Sequence, residues 1–141
     1  DQLRVIGSLG LLNAKFNEYQ NPNPAAVKLQ GRDVASAPSY QYNLGAEWYA
    51  NAAWTLRANV EGKDAFYFSD SHNSKSSAYA LVNANADYKY DKHWRLSIWV
   101  RNLLGKDYAT RGFFFDQGFG NQGYQQYGEP RIGGITVTYD Y

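Results

Sequence analysis

Six stretches of this chain alternate residue by residue between two unlike faces, and the apolar residues recur every second position rather than at helical spacing. In the clearest, Trp94, Leu96, Ile98 and Val100 oppose Arg95, Ser97, Trp99 and Arg101. Trp54, Leu56, Ala58 and Val60 likewise oppose Thr55, Arg57, Asn59, Glu61 and Lys63. Ala80, Val82, Ala84, Ala86, Tyr88 and Tyr90 oppose Leu81, Asn83, Asn85, Asp87 and Lys89. Two more follow the rule: Tyr40 to Trp48, and the terminal run in which Gly133, Ile135, Val137, Tyr139 and Tyr141 share a face. Leu3 to Leu11 is weaker, because Ile6 falls among the polar positions. Side chains of a strand point alternately to opposite faces, so this pattern predicts β-strands whose two faces meet different surroundings.

Composition narrows what those surroundings are. The 141 residues are 44% hydrophobic, the mean hydropathy is -0.60, and no apolar run approaches the roughly 20 residues of a membrane helix. A β-barrel escapes that limit, because half of each strand is free to be polar. Aromatic residues make up 17%, with 13 Tyr and 4 Trp. Trp48, Tyr49, Trp54, Tyr88, Tyr90, Trp94, Tyr139 and Tyr141 sit near strand ends, where amphipathic rings gather at a hydrocarbon–water boundary. In a soluble β-sandwich the same rings would fill a core. A net charge of +1 gives no reason to expect nucleic acid as a partner. The absence of cysteine fits an oxidising compartment. With neither an initiator Met nor a signal peptide, the expectation is a mature product or a fragment.

Connections alternate in length. Short turns are expected around Ala50–Ala52 and Asp91–His93; longer polar loops are expected at 21–38, 70–77 and 116–130. Turns on one side and loops on the other follow the plan of outer-membrane barrels. The third strand is expected to run from Ala53 to about Phe68, and the fifth from Trp94 to about Phe115.

Few motifs carry independent chemistry. Gly118 to Gly123 spells GxGxxG, but that fingerprint holds a dinucleotide only when a helix follows, and Tyr124–Pro130 reads as loop and then strand. Asp70 and His72 are candidates to share a surface ion, yet no Cys or second His stands at metal spacing. No nucleophile elbow or triad spacing is present, so neither an enzyme nor a cofactor is expected. The mixed-sign face that includes Glu47, Arg57, Asp87 and Arg101 fits mutual pairing across strands.

Four stretches resemble the TonB-dependent outer-membrane receptors: GSLGLLNAKFNEY (Gly7 to Tyr19), LQGRDVASAPSYQYNLGAEW (Leu29 to Trp48), WRLSIWVRNLLGKDYATRG (Trp94 to Gly112) and YGEPRIGGITVTYDY (Tyr127 to Tyr141). They are similar to the carboxy-terminal barrel strands of that family and stand in the same order; the family usually ends on Phe where this chain has Tyr141. The resemblance implies an all-β fold, an antiparallel transmembrane β-barrel segment contributing about six strands to a barrel of about 22. It makes residues 1–141 the barrel's carboxy-terminal part, without the plug domain. It further implies a bacterial outer-membrane location, import of a ferric siderophore or other scarce nutrient, and coupling to TonB through the absent plug. The terminal strand would meet the barrel assembly machinery and close the sheet, removing an edge that lipid cannot satisfy.

Within that frame the last long loop is the candidate ligand site. Arg111, Phe113, Phe115, Tyr124 and Tyr127, with Phe114 and Phe119 nearby, combine a cation with aromatic surface suited to an anionic, partly aromatic ferric chelate. Two other readings stay open from the residues: a small independent outer-membrane barrel serving as adhesin or pore, and a soluble β-domain that binds a partner.

Overall fold

A computed structural model describes residues 2–19, 22, 26–115 and 122–141. Eight strands occur among them: β1 (Leu3–Leu11), β2 (Tyr40–Tyr49), β3 (Trp54–Lys63), β4 (Tyr79–Lys89), β5 (Trp94–Arg101), β6 (Ala109–Phe115), β7 (Gln122–Tyr127) and β8 (Ile132–Tyr139). All pairings are antiparallel. Six strands form one sheet in the order β1-β2-β3-β4-β5-β8, and β6 and β7 form a separate hairpin. The six strands legible in the alternation are those of the main sheet.

Three boundaries differ from the expectation. β3 stops at Lys63 rather than near Phe68; the chain beyond it turns back on itself through the bridge between Tyr67 and Lys75. The fifth strand is two, because Asn102 and Gly105 take left-handed backbone angles, with φ of 49° and 64°. Such residues end a ladder, since an extended strand needs negative φ. The segment 116–130, expected as loop, contains β7.

Register carries the alternation across the sheet. Leu3, Trp48, Leu56, Ala86, Ile98 and Ile135 form one continuous rung. The next rung is Arg4, Glu47, Arg57, Asn85, Trp99 and Gly134; the one after is Val5, Ala46, Ala58, Ala84, Val100 and Gly133. One face of the sheet is therefore apolar and the other largely polar. The apolar face is bare: Leu3, Val5, Leu9, Leu44, Ile98, Ile135 and Val137 are between 49% and 69% exposed. Among the described residues the buried hydrophobic side chains are only Leu29, Phe66, Leu81 and Ala109. A soluble sandwich would bury its apolar face against a second sheet; this one presents it outward, as a barrel wall does to lipid.

The polar face is concave. A groove of about 500 Å3 runs along it past Arg4, Glu47, Arg57, Asn85, Trp99 and Arg101. A second, of about 660 Å3, lies nearer the long loops beside Lys63, Tyr79 and Tyr108. Gly134 is needed at the seam of β5 and β8, because a Cβ there would stand 2.6 Å from the Trp99 ring.

The short-turn end carries the aromatic rim. Trp54 packs on Tyr88 at 4.8 Å and Trp94 on Tyr139 at 4.7 Å. Both turns are built alike. Asn51 Oδ1 accepts from the backbone N–H of Ala53 and Trp54 at 2.9 and 3.0 Å. Asp91 Oδ1 accepts from His93 and Trp94, both at 2.8 Å. These are Asx turns, in which a short side chain takes up amides left free by the reversal.

The two turns differ in charge, and that has a measurable consequence. The His93 and Trp94 amides hold the Asp91 carboxyl below its ordinary pKa, which is about 3.9. A lowered folded-state value means the contribution is complete above that ordinary value and is lost as pH falls through the folded-state value. Amide protection at His93 and Trp94 is expected to drop in acid, once the pH has fallen below the ordinary carboxylate range, while Ala53 and Trp54, held by an amide that does not titrate, keep theirs. Hydrogen exchange compared between neutral and acid solution checks this, and equal losses at both turns would refute it. Asp91→Asn should abolish the difference.

Candidate functional site

β6 and β7 rise from the long-loop end of the sheet, beyond β5 and β8. Their register opposes Arg111 to Gln126, Phe113 to Tyr124 and Phe115 to Gln122, with an irregularity between Ala109 and Arg111. Directly opposed residues share a face, so Arg111, Phe113, Phe115 and Tyr124 lie on one side of the hairpin. The rings touch: Phe113 stacks on Tyr124 at 6.1 Å, and Phe115 meets Tyr124 edge-on at 5.6 Å. Phe113 is 50% exposed, and Phe115 and Tyr124 are each 45% exposed, so the cluster presents aromatic surface outward. Tyr127 pairs with Ala109 across the irregularity, and alternation from Tyr124 places it on the opposite face. The structure thus brings together four of the five residues singled out in the sequence and leaves Tyr127 apart. Phe119 lies outside the described residues.

The other face of the hairpin rests on the β3–β4 loop. The Phe114 ring lies 6.0 Å from that of His72. Gly112 admits the Phe68 ring, which a Cβ at that position would overlap. A cavity of about 420 Å3 opens between the loops, with Ser36, Phe66 and Phe68 on one side and Thr110 to Phe113 on the other. Ser36, Phe66 and Phe68 were not foreseen as site residues. Phe66 and Phe68 fall in the expected extension of the third strand, which the structure replaces with a loop beyond Lys63, and Ser36, with φ of 58°, stands in a loop where neither period marks a face.

On the concave face the mixed charges pair. Arg57 reaches Glu47 at 2.6 Å and also contacts Asp87; Asp87 accepts from Ser97. Towards the loop end, Arg101 lies 3.6 Å from Glu129, and at the turn end Arg95 lies 3.4 Å from Asp140. The Lys63 ammonium sits 4.3 Å over the Phe66 ring. By contrast, the Arg111 side chain has no hydrogen-bond or ion-pair partner among the described residues.

The weaker motifs take ordinary places. Asp70 and His72 surround a guanidinium: Asp70 Oδ1 lies 3.2 Å from Arg32 and the His72 carbonyl accepts from Arg32 at 3.0 Å, while His72 Nδ1 accepts from the Ser74 amide. Among the described residues no cluster of three or more His, Cys, Asp or Glu could hold a metal ion. Gly118 and Gly120 lie outside the described residues, and Gly123 stands within the strand β7.

Comparison with known proteins converges on one architecture. A family model described as TonB dependent receptor-like, beta-barrel, matches residues 2–103. Among solved structures, the siderophore receptor PiuA from Acinetobacter baumannii superposes over 99% of this chain with a TM-score of 0.79 at 16% identity. The ferric-catecholate import receptor Fiu from E. coli K12, in its closed form, superposes over 99% with a TM-score of 0.74 at 15% identity. This chain spans 19% of the length of each. The segmental match covers the sheet from β1 to β5, and the superposition extends to β6, β7 and β8. The bare apolar face, the concave polar face and the division into turns and long loops fit that assignment: the chain belongs to the TonB-dependent receptor β-barrel family.

Proposed function

We propose that residues 1–141 are part of the barrel wall of an outer-membrane active transporter that imports a ferric siderophore. The observation that carries this reading is the exposed face of the β6–β7 hairpin, where Arg111 shares a side with the touching rings of Phe113, Phe115 and Tyr124. A cation beside aromatic faces suits a chelate with negative charge and planar rings. Tyr127 belongs to the same hairpin and meets the ligand from its edge. The segment itself performs no chemistry. It supplies part of the wall, through the apolar rungs facing lipid, and part of the outer binding surface. Its polar face meets a plug domain, and TonB acts through that plug. β1 and β8, the outer strands of the described sheet, pair with the remaining strands, and the assembly machinery engages β8.

The test is uptake of radioactive iron, supplied as a ferric tris-catecholate, by cells that carry the complete receptor. Uptake is expected to require both the receptor and TonB. Phe113→Ala and Tyr124→Ala should each weaken chelate binding about tenfold, the equivalent of one well-placed aromatic contact. Arg111→Ala should do at least as much for a charged chelate and little for a neutral one. Unchanged iron uptake on deleting the receptor or TonB would overturn the proposal.

A further inference from the structure

Among the described residues, the least exposed charge in the outer loops lies away from the candidate ligand face. Arg32, in the β1–β2 loop, is 9% exposed, and its guanidinium fills the tip of the β3–β4 loop. One terminal nitrogen donates to the His72 carbonyl and to Asn73 Oδ1, both at 3.0 Å. The other donates to the Ser69 carbonyl at 2.9 Å and Asp70 Oδ1 at 3.2 Å. The Tyr67 ring covers the group at 4.4 Å. All four N–H groups of the terminal nitrogens are therefore used, and by partners 37 to 41 residues away. The same two loops are joined by the Ser36 amide on the Tyr67 carbonyl and the Ala35 amide on Asp70.

The tip that Arg32 gathers is the part of the loop that supports the hairpin. His72 supplies both a carbonyl to Arg32 and the ring against Phe114. Phe68, next to Ser69, supplies the ring that fills the space beside Gly112. We infer that Arg32 is a positioning residue: it ties the β1–β2 loop, the β3–β4 loop and the β6–β7 hairpin into one body and so sets the presentation of Phe113, Phe115 and Tyr124. The inference about ligand presentation rests on the function proposed above; the mechanical link does not. Lysine cannot replace it, because a single ammonium offers three donors from one point where four acceptors surround a planar fork.

The experiment uses the complete receptor in detergent, with Arg32→Ala, Arg32→Lys and the milder Asn73→Ala, which removes one acceptor only. Hydrogen exchange is read over 109–115 and 122–127, with β2 and β3 as internal controls. Binding and uptake are read with ferric tris-catecholate. Exchange in the hairpin is expected to accelerate about tenfold in both Arg32 variants, with the controls unchanged. Asn73→Ala should shift it in the same direction by less. The half-saturation concentration for uptake should rise about tenfold while the maximal rate stays the same, because the site is misplaced and the transport step is intact. Unaltered hairpin exchange in any Arg32 variant that assembles would overturn the inference, as would unaltered exchange in Asn73→Ala if neither Arg32 variant assembles. Accelerated exchange with parental half-saturation would retain the mechanical link and overturn its role in presenting the ligand face. Failure of the parent receptor to bind the chelate would instead count against the proposed substrate, while the exchange data would still judge the link.

Discussion

Asn102→Ala is expected to destabilise the complete barrel by about 2–4 kcal/mol. Asn102 is 2% exposed and closes the junction between β5 and β6. Its Nδ2 donates to the carbonyls of Lys106 and Glu129 at 2.9 and 3.1 Å, and its Oδ1 accepts from the Lys106 amide at 2.8 Å. Its own amide is held by Asn83 Oδ1 at 3.0 Å. Alanine would strip partners from three backbone groups, each costing about 1 kcal/mol or more where water cannot replace them. It would also occupy the left-handed region that Asn tolerates and Ala does not, at about 1 kcal/mol. Asn102→Gly separates the two contributions, since it relieves only the backbone cost. Asn102→Asp should be no better than alanine, because it loses both donors and turns an anionic oxygen towards two carbonyls. Urea unfolding of the detergent-solubilised receptor measures the series, and an alanine variant as stable as the parent would refute this account of the junction.

A second large effect is expected from neighbouring residues on opposite faces. Ala58 lies midway along β3, between Ala46 and Ala84 on the apolar rung. Ala58→Arg places a guanidinium against hydrocarbon near the midplane and should cost about 2–4 kcal/mol. Asn59, the next residue, faces the groove beside Glu61 and Arg101. Asn59→Arg gains Glu61 as a neighbour of opposite charge and should change stability by less than about 1 kcal/mol. The contrast is read as folding stability in lipid vesicles. Similar costs at both positions would mean that the two faces meet similar surroundings, and the barrel-wall orientation would be wrong.

Legibility followed the range of the interactions. The course of β2, read from Tyr40 to Trp48 and found as Tyr40–Tyr49, was visible because the alternation itself is the strand. The places of the two short turns were visible because Asn51 and Asp91 interrupt it in the same way. The break at Asn102 was missed: NLLGKD is polar enough to pass for an outer extension of β5, although adjacent Leu103 and Leu104 already violate the alternation. The link made by Arg32 left no local trace, since a lone arginine in a long loop looks the same whether solvated or clasped. The ligand candidates were legible as composition, a cation among aromatics, but not as a surface. Only the pairing of Phe113 with Tyr124 places Arg111, Phe113, Phe115 and Tyr124 on one side and Tyr127 on the other.

By itself the sequence determined the strands of the main sheet and the division of each into an apolar and a polar face. Both follow from the two-residue period of an extended chain, which needs no information from distant residues. Tertiary structure decided which rungs align, that the polar face is the concave one, and that three outer loops meet through Arg32 and the support beneath the hairpin. Those outcomes depend on contacts between residues tens of positions apart, and irregular loops have no period from which such contacts are read.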